Sequence, residues 1–177
     1  MGRLRTVRWL ADPFVSVGFP MPKVSFLPIF ILWFGYDLSK ILLTTVAAVF
    51  PIVAATHAGV AGVDRSLLWV GQNLKMREGR IFLRIVLPAI LPQIFNGLQI
   101  AFPVGLIVVV VTEMLTGGRG VGTVMMMGAR FGDSPAVFAG LVLVAALGLA
   151  SLKGLAAIRA RLLRWHQETR AAEMAAA

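Results

Sequence analysis

The sequence has no cysteine, a single tyrosine and only eight acidic residues among its 177. Without cysteine it can build neither a disulfide framework nor a thiolate metal site. Charged residues make up 14%, against about a quarter in an ordinary soluble domain. There is no G-x-S-x-G, no H-E-x-x-H and no pair of aspartates inside the apolar runs, the patterns that several hydrolytic chemistries require. The expectation is a protein that is not an enzyme, with no catalytic, cofactor-binding or metal-binding residues.

What the sequence has instead is apolar length. Hydrophobic residues are 58% of the chain and the mean hydropathy is +0.85. A helix needs about 20 mostly apolar residues to cross the hydrocarbon core. Four segments come near that: 24–35, 38–58, 89–112 and 135–155. The first is short unless it begins near Phe14 and tolerates Pro20, Pro22 and Pro28. The fold class expected is all-α, a polytopic transmembrane helical bundle of about four spans, with 1–177 as one domain.

The net charge of +9 raises nucleic acid as a partner. In a membrane chain it reads first as topology, because Lys and Arg gather in cytosolic loops. Arg3, Arg5, Arg8, the five basic residues from Arg65 to Arg84 and those from Lys153 onward fall on one side of a four-span arrangement. Lys40, Arg119 and Arg130 fall on the other. This predicts both termini in the cytosol, lipid rather than nucleic acid as partner, and a basic cytosolic tail over 159–177 with Trp165 at the headgroups. The basic start is followed by A-D-P-F-V-S-V-G-F-P-M-P-K, which prolines break up, so it reads as a cytosolic flank and not as a secretory leader.

The stretch 64–92 is the longest with real polar content. Asp64 or Ser66 can cap a helix. Leu67, Val70 and Leu74 then recur at helical spacing, with Leu68 and Gly71 alongside. A second helical stretch follows Lys75 and Met76, with Ile81, Phe82 and Ile85 on its apolar side, and runs into Pro88 and Pro92. The prediction is two short helices at an angle, forming a cytosolic loop over about 60–88.

Here the sequence resembles a known family. I-x-L-P at Ile85, Leu87 and Pro88 is similar to the end of the EAA motif of ABC importer permeases. Counting back places that motif's glycine at Lys75 and its Glu-Ala-Ala at Trp69, Val70 and Gly71. The segments 20–35, 39–52, 61–68 and 112–122 resemble the nitrate, sulfonate and taurine branch, which also includes bicarbonate and thiamine-precursor permeases. The resemblance covers about residues 10–165. It implies a type I ABC importer permease fold in the cytoplasmic (inner) membrane of a bacterium. It also implies a loop that docks on a separate ATP-binding cassette ATPase subunit through Trp69, Val70, Gly71, Leu74, Lys75, Ile85, Leu87 and Pro88. The further partners implied are a second permease copy, as a homodimer, and an extracytoplasmic solute-binding protein. ATP would be used by the partner, and the solute would be a small anion or a small organic compound. Family members have about six spans, and this sequence starts where their third would. That leaves a second expectation: a truncated non-transporting remnant, or small membrane scaffold, of the same fold.

At Lys75 the motif's glycine would allow a left-handed backbone. Gly71 and Gly79, four residues to either side, are candidates to take over the bend. Arg77, Arg80 and Arg84 are expected to mark topology and touch headgroups. Glu113 follows an unbroken apolar run, so it either lines a pathway, pairs with Arg119 or Arg130, or marks the outer end of the span. The glycine-rich run 117–122 lacks G-K-[ST] and reads as a tight turn, not a phosphate loop. His57 is expected to be structural, Met125–Met127 to pack, and the small residues 139–150 to let helices approach.

Overall fold

The computed structural model describes Gly18 and residues 21–163. The basic start, Phe14 and the tail with Trp165 lie outside those residues. A 3-10 turn (Lys23–Phe26) leads into α1 (Leu27–Ala61). Then come α2 (Arg65–Asn73), α3 (Glu78–Ile81), a π turn (Phe82–Val86), α4 (Leu87–Thr116), α5 (Val121–Phe131) and α6 (Ser134–Leu162). All elements among the described residues are helical, as the apolar runs predict.

α1 is two arms, not one rod. Gly35 sits at φ 73° and ψ 178°, a backbone region that is essentially glycine's alone. The chain reverses there. Leu27 therefore packs against Leu43, Ala47 and Val108, and the Lys23 amine lies 4.8 Å from the centre of the Phe50 ring. A straight helix would hold Leu27 and Leu43 about 24 Å apart. Ser39, fully buried, donates its hydroxyl to the Gly35 carbonyl just past the bend.

The expected segments 24–35 and 38–58 are thus antiparallel neighbours. The count of four full spans needs correction, however. By length and composition three stretches among the described residues can cross a membrane: Lys23–Ala61, Glu78–Thr116 and Ser134–Leu162. The arm 23–34 is about 18 Å long, short of the ~30 Å hydrocarbon core, and it reaches only to the level of Phe50. The arm 36–61, at about 39 Å, crosses by itself.

The centre of the bundle is the antiparallel contact of α1 with α4. Small residues bring the two backbones together. A Cβ on Gly97 would lie 3.0 Å from the Ile52 Cα and 3.1 Å from the Pro51 carbonyl oxygen, and one on Gly59 would lie 2.8 Å from the Gln93 Cβ. Gly97 and Ala101 are both buried, one turn apart on α4, a spacing of small residues that favours close helix approach in lipid. The small residues expected to do this on α6 mostly do not. Gly140 is buried against Met125 and Gly148 faces Leu106, but Ala139, Ala145, Ala146 and Ala150 are exposed. The last turns of α6 return to α4, where Leu155 and Leu163 pack on Phe95.

The bundle has two distinct ends. Gly35, Lys40 and the turn 117–120 share one end: a Cβ on Gly118 would come within 3.8 Å of the Lys40 Nζ. The loop with α2 and α3, and the end of α6, occupy the other.

Candidate docking surface

α2 is defined at both termini by its own sequence. Asp64 is its N-cap, in extended backbone, and its carboxylate accepts from the Ser66 N–H at 2.9 Å. Of the two expected caps, Asp64 does the work. The Ser66 hydrogen bonds hold the Asp64 carboxyl below the usual carboxylate range, and slight burial opposes this weakly. A depressed carboxylate stabilises the fold above its unfolded pKa, and that contribution is lost as pH falls through the folded value. The start of α2 should therefore loosen in acid, below about pH 4, while Asp64→Asn, which keeps the cap but cannot titrate, should remove the dependence. Amide exchange at Ser66 and Leu67 across pH reads this directly.

The other terminus turns at Lys75. Its φ is +51°, and it is the only non-glycine residue with positive φ among those described. The Lys75 N–H bonds the Gln72 carbonyl at 2.9 Å and the Met76 N–H bonds the Gly71 carbonyl at 3.1 Å. That pair of bonds is a complete Schellman ending with lysine in the left-handed position usually held by glycine. The bend has moved to neither Gly71 nor Gly79; both are helical. Lysine there costs about 1 kcal/mol, so Lys75→Gly should raise the resistance of the loop to limited proteolysis without altering its shape.

Gly71 has a different task. It is buried, and a Cβ added to it would meet Ile85 Cδ1 at 2.9 Å and Ile81 Cγ1 at 3.0 Å. α2 thus lies directly on the stretch 81–85. The π turn there has a local cause. Pro88 has no N–H to donate, and in a regular helix its ring would crowd the Arg84 carbonyl. The chain widens by one residue, and the Leu87 N–H bonds the Phe82 carbonyl instead. Ile85, Leu87 and Pro88, the recognisable end of the motif, are half-buried here; Ile85 belongs to the seat of α2, and Leu87 and Pro88 open α4 just beyond it.

The outer face is apolar. Leu67, Trp69, Val70 and Leu74 are exposed, Trp69 by 63% and Leu74 by 68%, while Leu68 is half-buried and Gly71 buried. The structure therefore separates the predicted site residues. Gly71 and Ile85 meet where α2 lies on 81–85, Leu87 and Pro88 are half-buried at the start of α4, and Trp69, Val70 and Leu74 point away, with Lys75 exposed at the bend. The sequence offered no means of separating Gly71 from Leu67, Val70 and Leu74, because all four fall on one side of the helical period. Arg77, Arg80 and Arg84 are exposed around them.

At the far end, Glu113 folds over the turn. Its Oε2 accepts from the Gly122 N–H at 2.9 Å, and its backbone carbonyl accepts from the Thr123 hydroxyl at 3.1 Å. Among the described residues it forms no ion pair with Arg119 or Arg130; the ion pair at that end is Lys40 with Asp37, at 3.9 Å. The glycine run is the expected turn, with Gly117, Gly118 and Gly120 at positive φ. Met125 is buried against Gly140, His57 lies on an exposed side of α1, and the described residues contain no cluster of three metal-ligating side chains.

Comparison with known proteins agrees with this architecture. Residues 1–164 match the family model described as binding-protein-dependent transport system inner membrane component. The chain is 32% identical over 169 residues to the taurine transport system permease protein of Escherichia coli (strain K12), covering 95% of this chain and 62% of that protein. It is 33% identical over 155 residues to a protein of Bacillus subtilis (strain 168) named as an aliphatic sulfonates transport permease, covering 87% and 56%. It is 29% identical over 157 residues to the formylaminopyrimidine transport permease protein of Halalkalibacterium halodurans (strain ATCC BAA-125), covering 88% and 63%. The chain thus spans about three fifths of the length of these relatives.

Proposed function

The chain belongs to the binding-protein-dependent transport system inner membrane component family, and from that membership we propose that it is the membrane-spanning permease subunit of an ATP-driven importer. A multi-pass membrane protein of a transport family needs no chemistry of its own. ATP would be bound and hydrolysed on a separate ATPase subunit, with no cofactor held by this chain. Its solute would be a small anion or small organic compound, in keeping with relatives named for taurine, sulfonates and formylaminopyrimidine. A second permease copy and an extracytoplasmic binding protein would complete the assembly.

The observation that carries this reading is the outer face of α2. A nine-residue helix is fixed at both ends, seated on 81–85 through Gly71, and turns Leu67, Trp69, Val70 and Leu74 outward at one end of the bundle. An apolar patch on a rigid helix is what a groove on a partner would accept. Basic residues gather at the same end: Arg65, Lys75, Arg77, Arg80, Arg84 and Arg159, against Lys40, Arg119 and Arg130 at the other. By the positive-inside rule the α2 end would face the cytosol, where an ATPase would meet it. Closure of two ATPases would then move the seated loop, and α4 with it, as one rigid lever, alternating access to a central pathway.

The test is co-purification with the ATPase. Leu74→Asp should leave the permease folded and remove the partner, because an exposed anion in an apolar contact costs more than the contact yields. Retention of the ATPase by Leu74→Asp at wild-type level would refute the docking role. Gly71→Arg is the poorer variant, since the side chain would strike Ile81 and Ile85 inside the loop itself. A complex that assembles and hydrolyses ATP without moving solute in vesicles would favour the non-transporting scaffold.

A further inference from the structure

An apolar groove of about 410 Å³ runs along α4 where α1 and α6 diverge from it. Its floor includes Ala101, Gly105 and Leu106, and its walls include Thr44 and Ala48 on one side and Ser151 on the other. The groove offers little polarity. The Ser151 hydroxyl is taken by the Leu147 carbonyl at 2.7 Å, and the Thr44 hydroxyl is buried without a hydrogen-bond partner. A solute with charge or many hydroxyls would find at most the one Thr44 hydroxyl there to replace its water. A hydrocarbon chain would lose nothing on entering.

Along α6 the groove points to a cation. Arg159 follows Ser151 by two turns, about 12 Å. It is half-buried between α6 and α4, and its Nη1 donates to the Asn96 Oδ1 at 3.0 Å and the Gln99 Oε1 at 3.3 Å. Two neutral amides orient the guanidinium but do not neutralise it, and among the described residues no carboxylate pairs with it. α6 contains Lys153, Arg159 and Arg161 and no acidic residue. Between Asp133 and Lys153 the helix carries no charge, and that stretch is about 30 Å long, the thickness of the hydrocarbon core. Arg159 lies about 9 Å further on, within the headgroup layer. An arginine held in that layer, with donors still unused, is suited to bidentate contact with a phosphate.

We propose that the α4–α6 seam is a site for an anionic glycerophospholipid, its phosphate on Arg159 and one acyl chain in the groove over Ala101 and Gly105. One ligand then accounts for both features: the apolar channel at membrane depth and the oriented, unneutralised cation at its cytosolic end. Asn96 and Gln99 are positioning residues that hold the guanidinium toward the bilayer. Asn96 is an exposed and Gln99 a half-buried polar group on a membrane helix, and this role gives them a reason to be there.

The full chain is placed in nanodiscs of phosphatidylglycerol or of phosphatidylcholine, and retained lipid is read by native mass spectrometry after transfer to detergent. Wild type should retain phosphatidylglycerol in preference to phosphatidylcholine. Arg159→Gln should lower that preference about fivefold, the scale of one arginine at an anionic surface. Arg161→Gln, one residue outside the cluster, should lower it by much less. Ser151→Trp, which fills the mouth of the groove from an exposed position, should reduce retention of both lipids. Unchanged phosphatidylglycerol preference in Arg159→Gln overturns the proposal, as does an equal loss in Arg161→Gln, which would mean a diffuse basic surface. A dimer in detergent that Ser151→Trp dissociates, with no change in bound lipid, would assign the groove to a second copy and overturn it as well.

Discussion

Gly97→Val should abolish the folded protein in membranes, or leave a species that loses its helical signal tens of degrees below wild type. The new Cβ would lie within 3.1 Å of the Ile52 Cα and the Pro51 carbonyl oxygen as well as 2.9 Å from the Ala55 Cβ. Two of these three are backbone, so no rotamer change can relieve the contact, and α1 and α4 would have to separate. Overpacking alone costs about 1–3 kcal/mol. Separation would further forfeit the packing of Leu43, Ala47 and Val108 and of Ile90 beside Gly59. In lipid there is no hydrophobic drive to restore the pair, because tails solvate an apolar helix as well as another helix does. Gly105→Ala is the control. Its Cβ would sit 3.5 Å from the Thr44 methyl, an ordinary contact, and the helix would gain propensity. Circular dichroism melts of both variants in one detergent give the comparison, and equal melts for Gly97→Val and wild type would mean that the α1–α4 approach is not what holds the bundle.

Much of this arrangement was legible before the fold was known, and the parts that were not have physical causes. The apolar runs gave the helices, because length and hydropathy are all that lipid asks of a segment. The cap at Asp64 followed from local chemistry, whereas the bend stayed at Lys75 and did not pass to Gly71 or Gly79 as a lysine at a glycine position suggested. The reversal at Gly35 falls at the break between the expected segments 24–35 and 38–58. Which small residues lie at a contact could not be read. α6 has more of them than α4, yet it is α4 that presses against α1. Periodicity gave one apolar face for α2. The division of that face into a seat at Gly71 and an outer patch at Leu67, Val70 and Leu74 depends on where 81–85 lies, and the π turn before Pro88 decides that. The Arg159 clamp joins residues 63 apart in sequence, and no local pattern marks it.

Gly122→Ala should detach α5 from the bundle. A Cβ on Gly122 would overlap the Val110 carbonyl oxygen and lie 2.8 Å from the Glu113 Cβ and 3.1 Å from the Met114 N. The obstacle is again backbone, here the last turns of α4. The same displacement would break the Gly122 N–H bond to the Glu113 carboxylate and the Thr123 hydroxyl bond to the Glu113 carbonyl. Each loss is worth about 1–3 kcal/mol where the groups are shielded from water. Met125 would leave its place against Gly140, so the α5–α6 contact would go as well. Protease sensitivity across 117–133 should rise sharply while the α2 loop keeps its wild-type cleavage pattern, because the two lie at opposite ends. Glu113→Gln then separates the two roles left to this carboxylate. Glutamine keeps an oxygen for the Gly122 N–H, so a purely capping Glu113 predicts unchanged cleavage and unchanged transport in the assembled importer. If the negative charge also faces the solute pathway, cleavage stays at wild type and transport alone falls. A rise in cleavage with Glu113→Gln as large as with Gly122→Ala would contradict the hydrogen-bond assignment, since the substitution removes the charge and leaves the acceptor in place.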